Sequence, residues 1–274
     1  MDLYTDTASR LSKLLTRQYS TSFSAASRLF PQAMQSHIYN IYGLVRVADE
    51  IVDTYRGSDS AELLDALEQE TYQAIRRGFS ANPIIHAYAQ THQSWGIDQQ
   101  LVTSFFASMR MDLTATIYDQ ANYDKYIYGS AEVVGLMCLH VFCAGNAEQY
   151  RQLQPGAQRL GAAYQKVNFL RDIKDDYQEL GRFYFPGYTY ATFDGAAKQT
   201  VTADIRQDFA AALPYIRALP AGVRPAVMTS YSYYHALLEL LERADIDHIK
   251  QARIRIPAYR KALLLAPQAL RIKR

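Results

Sequence analysis

Two pairs of aspartates spaced four residues apart, Asp49/Asp53 and Asp172/Asp176, stand in opposite halves of this chain, each in a stretch with helical periodicity. Residues four apart share one face of an α-helix, so each pair projects to one side. On the first stretch, Tyr42, Arg46, Asp49 and Asp53 advance by four, three and four. An apolar stripe of Ile41, Val45, Ala48 and Val52 runs beside them with the same steps. Apolar residues on adjoining turns predict a mostly buried helix whose polar stripe walls an interior cavity. On the second stretch, Gln165, Asn168, Asp172 and Asp176 span about 16 Å of one helix face. Ala163, Val167, Leu170 and Tyr177 supply its apolar counterpart, and Arg171 and Lys174 flank the acids. One such pair alone reads as a solvated face. Two, each with amide and cationic companions on an apolar helix, point to a shared site.

Like charges at this spacing repel, and desolvation deepens the penalty. A divalent cation removes it. Magnesium takes oxygen ligands and is often held by one or two carboxylates plus substrate phosphates. Facing helices of this kind would hold ions around a diphosphate, neutralising the charge that builds as a carbon–oxygen bond breaks. Apolar and aromatic walls would shelter the allylic cation left behind, and the chain has 22 tyrosines and 11 phenylalanines to draw on.

Of the 274 residues, 49% are hydrophobic and 20% charged, ordinary for a globular protein with a substantial core. With only 13 glycines and 9 prolines, and few segments resembling strands, the reading is all-α, as a single domain over 1–274. Helices are predicted over 32–55, 60–77, 98–112, 123–144, 158–180 and 223–243. Breaks are expected at Pro31, 56–60, 78–83, Gly96, Pro155-Gly156, Pro186-Gly187, Gly195, 220–222 and Pro257. Asp59, three residues before Glu62, is expected to open a capping box. The net charge of +2 gives no nucleic-acid footprint. The late basic cluster of Lys250, Arg253, Arg255, Arg260, Lys261, Arg271, Lys273 and Arg274 reads first as a solvated tail, second as attraction to an anionic membrane surface. Cys138 and Cys143 offer no disulfide framework. The N-terminus carries no secretion signal, and 133–145 is too short to span a bilayer. A cytoplasmic protein is expected, with contact at the inner membrane as a peripheral alternative. His140 reads as a core histidine and Trp95 as a helix-end anchor.

Three blocks resemble the squalene/phytoene synthase family of head-to-head prenyl synthases. They are Tyr19-Ser20-Thr21-Ser22-Phe23 with 41–53 (Ile41 to Asp53), 126–135 (Tyr126 to Gly135), and 160–172 (Leu160 to Asp172) onward to Gly181-Arg182-Phe183-Tyr184-Phe185-Pro186. The resemblance spans nearly the whole chain. It implies an isoprenoid synthase-type helical bundle around a central cavity, and condensation of two allylic diphosphates through a cyclopropylcarbinyl diphosphate. It also implies that Asp49, Asp53, Asn168, Asp172 and Asp176 hold magnesium, with manganese as the alternative ion. Arg46, Arg171 and Arg253 correspond to diphosphate-contacting arginines, Gln165 and Tyr42 to pocket residues, and Tyr128 and Tyr234 to tyrosines near the diphosphates. For proton removal the resemblance leaves two acceptors, Tyr128 and a departing diphosphate oxygen.

The run 126–138 is most similar to the phytoene-forming branch, which implies geranylgeranyl diphosphate as substrate. A farnesyl-using dehydrosqualene or squalene synthase is the alternative, and only squalene would require NADPH. A terpene cyclase or a non-catalytic helical assembly protein are further rivals; the Gln-x-x-Asn-x-x-Arg-Asp context and the four intact acids argue against them. Glu132 departs from the small residue found in many relatives. It reads equally as an extension of the acidic network or as a satisfied polar group. The role of Tyr19 is open.

Overall fold

The computed structural model describes residues 2–55, 57–114, 117–261 and 263–264. The chain folds into α1 (Leu3–Tyr19), α2 (Thr21–Ser27), α3 (Gln32–Asp49), α4 (Ser60–Arg77), α5 (Pro83–Trp95) and α6 (Gln99–Thr114). It continues through α7 (Gln120–Ile127), α8 (Val133–Phe142), α9 (Ala147–Leu180), α10 (Gly195–Ala218), α11 (Arg224–Arg243) and α12 (Ile246–Gln251). Among the described residues there is no strand, only an isolated parallel bridge between Ile117, which precedes α7, and Phe183 in the segment after α9. No described helix is long and apolar enough to cross a membrane. The late cations Arg271, Lys273 and Arg274 lie outside the described residues, as does Arg56 in one expected break.

Helix signals in the sequence are met by local structure at several ends. Asn82 caps α5 by accepting from Ile84 N–H at 3.1 Å, and Pro83 occupies its first position, where no donor is lost. Trp95 closes that helix, as expected. The boundaries of α4 agree with expectation, but Asp59 does not cap it. Its carboxylate instead accepts from the hydroxyl of Tyr55 at 2.8 Å.

Two predicted helices are interrupted. The stretch 32–55 is α3 followed by a π-helical turn, Glu50–Tyr55, and the stretch 123–144 is α7 and α8 joined by a second π turn, Tyr128–Glu132. Such turns insert one extra residue and cluster at functional sites. Here the first carries Asp53 and the second begins at Tyr128.

The break expected at Pro155-Gly156 is absent. Helix α9 runs through it for 34 residues, since proline forfeits a single backbone bond while tertiary packing holds the helix on both sides. Gly156 is what permits that packing, because a Cβ there would lie 2.1 Å from Cβ of Tyr215 on α10.

Two apolar clusters form the core. One gathers α3, α5, α6 and α8 around Ile38, Leu44, Tyr88, Phe105 and Leu136. The other gathers α9, α10 and α11 with the segment after α9, around Leu170, Phe183, Phe209 and Leu238. A cavity lies at their seam.

Candidate active site

The cavity has a volume of about 280 Å³. Helix α3 lines it with Ile38, Ile41, Tyr42 and Val45, and α9 with Leu153, Gly156, Ala157, Leu160, Gly161, Tyr164 and Asn168. These are helical spacings, so each set is one face. Continued toward the C-terminus, the α3 face reaches Arg46, Asp49 and Asp53, and the α9 face reaches Asp172 and Asp176. Each helix therefore passes from hydrocarbon wall to acid along one stripe. From Leu153 to Asn168 the stripe rises about 22 Å. Phe30 and Phe142, stacked with centroids 5.0 Å apart, lie at the cavity wall away from the acids.

The acids of the two stripes converge. Asp176 is pushed up to about 8, by burial first and then by the negative charges of Asp172 and Asp53, with Asp112 adding to them. Asp49 is pushed up to about 7, again by burial first and then by Asp53, with Arg46 opposing. The Asp49 side chain is 29% exposed. Asp172 lies one turn from Asp176, and both of its oxygens are taken by arginines. Arg171 donates to them at 2.9 and 2.5 Å, and Nε of Arg253 lies 2.8 Å from Oδ1.

The remaining expected groups distribute unevenly. Arg46 pairs with Glu50 and lies 3.7 Å from Asp49, and its guanidinium sits 4.4 Å over the ring of Tyr19. That contact gives Tyr19 a part: its ring is a platform for Arg46. Tyr42, pushed up to about 12 by burial, is near Arg46, Asp49 and Tyr234 and packs on Phe23. Tyr234 stacks on Tyr164 at 4.0 Å and neighbours Asn168 and Arg171. Gln165 stands half-buried on α9, a turn before Asn168. Among the described residues no contact brings Tyr128 to the acids. It packs on the first apolar cluster, within electrostatic reach of Tyr150.

Glu132 accepts from Gln158 at 3.1 Å and neighbours Arg159, Lys166 and Asp208. It belongs to this separate polar cluster between α9 and α10, so the satisfied-group reading holds. His140 packs against Tyr150 with ring centroids 4.1 Å apart and the planes tilted by 33°, and burial holds its pKa down, as for a core histidine. Both cysteines are free thiols.

The late basic cluster is not simply a solvated tail. Arg253, Arg255 and Lys261, with Arg171, Tyr233 and Tyr234, line a second pocket of about 430 Å³. It shares Phe23, Ala26, Ser230 and Tyr234 with the first. A polar chamber thus adjoins an apolar one.

Two residues escaped the sequence reading. Asp112 on α6 is buried and accepts from Tyr126 at 2.7 Å and Tyr184 at 3.3 Å. Burial raises it to about 7 against the lowering pull of Arg182. Arg182 itself donates to Asp53 at 2.7 Å. A lone aspartate in Met109-Arg110-Met111-Asp112 carries no pairing that spacing could reveal. Arg182 stood inside a quoted block, but its partners are 70 and 129 residues away.

The donor set suits a hard divalent ion. It consists of carboxylates whose mutual repulsion a cation would relieve, together with Oδ1 of Asn168, a buried acceptor with no hydrogen-bond partner among the described residues. Among the described residues no group of three or more histidine, cysteine or acidic side chains is placed to hold a metal ion by itself.

Comparison with known proteins places these features in context. The chain is 29% identical to phytoene synthase of Arthrospira platensis, over 96% of this chain and 93% of that one. It is 28% identical to 15-cis-phytoene synthase of Synechocystis, over 96% and 85% respectively. Its fold superposes on a dehydrosqualene synthase crystallised with a ligand, with a TM-score of 0.82 at 18% identity and 98% coverage of both chains. The squalene/phytoene synthase family model matches residues 16–260. With residues 16–260 matched by the family model, this protein belongs to the squalene/phytoene synthase family.

Proposed function

We propose that the protein is a prenyltransferase joining two allylic prenyl diphosphates head to head, with two geranylgeranyl diphosphates giving phytoene as the first reading. The observation that carries this is the shared direction of α3 and α9, each leading from the hydrocarbon chamber to an aspartate pair. The names of two similar relatives, both phytoene synthases, support the same reaction.

In this reading Asp49, Asp53, Asn168, Asp172 and Asp176 would hold magnesium, or manganese in its place. Bound there, the ions would neutralise the diphosphate charge as its carbon–oxygen bond breaks. Arg171 and Arg253, already gathered at Asp172, bind phosphate oxygens, and Arg46 does so from the α3 side. Tyr42 and Tyr234 stand where polar mouth meets apolar wall and orient the allylic end. The chamber walls exclude water from the cation.

The carbon–oxygen bond of one substrate breaks, and its C1 adds across the C2–C3 double bond of the other. A proton then leaves to a departing diphosphate oxygen, giving a cyclopropylcarbinyl diphosphate. Loss of the second diphosphate, ring opening with formation of the 1'-1 bond, and loss of a second proton give phytoene with no reductant. Tyr128 is the weaker candidate for proton acceptor, since a neutral phenol is a poor base and its contacts lie away from the acids. The apolar substrates make the inner membrane their reservoir, with peripheral contact by a cytoplasmic protein.

A fifteen-carbon substrate is the second reading, favoured by the Phe30–Phe142 stack at the chamber wall. Incubation with geranylgeranyl or farnesyl diphosphate plus magnesium, with and without NADPH, tests both readings by product mass. A forty-carbon hydrocarbon with a central conjugated triene supports the first, a thirty-carbon product the second, and no condensation with either refutes the reaction.

A further inference from the structure

Arg182 is buried to 5% exposure, yet it lines neither the apolar chamber nor the basic pocket. Its Nη2 donates to the carbonyl of Val52 at 3.1 Å and to that of Asp112 at 2.7 Å. Val52 lies in the last four residues of its π turn and Asp112 in the last four of α6. At those positions carbonyls lack helical partners. One guanidinium thus caps two helix ends, whose dipoles favour a cation. Its Nη1 donates to Oδ1 of Asp53 at 2.7 Å and lies 3.5 Å from Oδ1 of Asp112. Three acceptors around one planar fork suit arginine and not lysine.

The backbone of Arg182 is tied down as well. Gly181 turns the chain at φ +67°, and Arg182 N–H then donates to the carbonyl of Asp176 at 2.9 Å. A single residue therefore joins the Asp176 backbone to the Asp53 side chain. Asp112, across the guanidinium, is itself anchored by the hydroxyls of Tyr126 and Tyr184. One oxygen of Asp53 is held by this strap, while no described residue hydrogen-bonds to the other.

We infer that Arg182 is a positioning residue that sets Asp53 for ion binding and fixes the gap between the two aspartate helices. The inference rests on Asp53 being an ion ligand, as the proposed reaction requires. Arg182 touches no substrate; it acts through Asp53 and through the frame of the site.

The test is Mn²⁺ binding to purified full-length protein with inorganic diphosphate, followed by electron paramagnetic resonance, alongside circular dichroism and thermal melting. Arg182→Lys keeps the charge and loses the fork. It is expected to bind Mn²⁺ about 10- to 100-fold more weakly while folded, the range found for groups that orient metal ligands. A folded Arg182→Lys protein with parental Mn²⁺ affinity and only a lower melting temperature overturns the inference, because a purely structural cap predicts that result. If Arg182→Lys does not fold, Asp112→Asn decides. It keeps the side-chain shape and removes the carboxylate that faces Arg182 Nη1 at 3.5 Å, so the guanidinium is held less firmly against Asp53 and Mn²⁺ binding weakens; unchanged affinity overturns the inference. Asp53→Asn separates the two levels. Parental Mn²⁺ affinity there removes Asp53 as a ligand and with it the proposed ion site, whereas loss there with no effect at Arg182 and Asp112 removes only the strap.

Discussion

Nε of Arg253 lies 2.8 Å from Oδ1 of Asp172, although 81 residues separate them in the chain. Arg171 donates to the same carboxylate from the adjacent position on α9. The contact brings the segment after α12 onto the acid stripe of α9 and places two guanidinium groups where the basic pocket opens.

Arg253→Gln should therefore lower kcat/KM by about 10- to 100-fold, the scale of losing one charge-assisted contact to a phosphate. The effect should fall mainly on KM. Stability should change by less than about 1 kcal/mol, because the pair is partly exposed, at 40% and 20%. Steady-state kinetics with parallel melting curves check this, and an unchanged kcat/KM would remove Arg253 from diphosphate binding.

Asp49→Asn and Asp172→Asn should each reduce diphosphate release by at least about a hundredfold while helical circular dichroism is retained. A chelator should silence the parent protein, and added magnesium should restore it. Full turnover by both variants would refute the assignment.

Stability of the ion-free protein should fall as pH rises from about 4 to about 8. Asp49 and Asp112 are raised to about 7 and Asp176 to about 8. Their protonated forms are thus favoured in the folded state, and that contribution is complete below the unfolded carboxylate pKa and lost through the folded values. Magnesium with inorganic diphosphate should flatten the slope. Urea melts at stepped pH, with and without the ion, measure both effects; an ion-free slope of zero would mean that burial and mutual repulsion do not raise these acids as described.

Ala157→Phe fills part of the chamber wall on α9. It should turn the preference from the twenty-carbon toward the fifteen-carbon substrate, changing the ratio of their kcat/KM values by at least about tenfold. Competition between the two substrates, read by product mass, reports that ratio directly. An unchanged ratio would place the chain-length limit elsewhere.

What could be read without coordinates followed from short-range periodicity. The stripes Tyr42-Arg46-Asp49-Asp53 and Gln165-Asn168-Asp172-Asp176 lie within single helical stretches, so their shared faces were visible from spacing. The apolar run along each helix and the all-α class were visible for the same reason. Local signals misled where packing overrode them. Pro155 did not break α9, because α10 rests on Gly156, and Asp59 gave its carboxylate to Tyr55 rather than to a helix end.

Periodicity along one helix determined which residues stand together, because the repeat of a helix is a property of the backbone alone. Only the tertiary structure decided what those faces meet: that Asp53 and Asp176 share a field, that Arg182 caps two helix ends at once, and that Tyr128 packs on the first apolar cluster. Each of those depends on chain segments tens to hundreds of residues apart being packed into contact, and burial, dielectric and partner all follow from that packing.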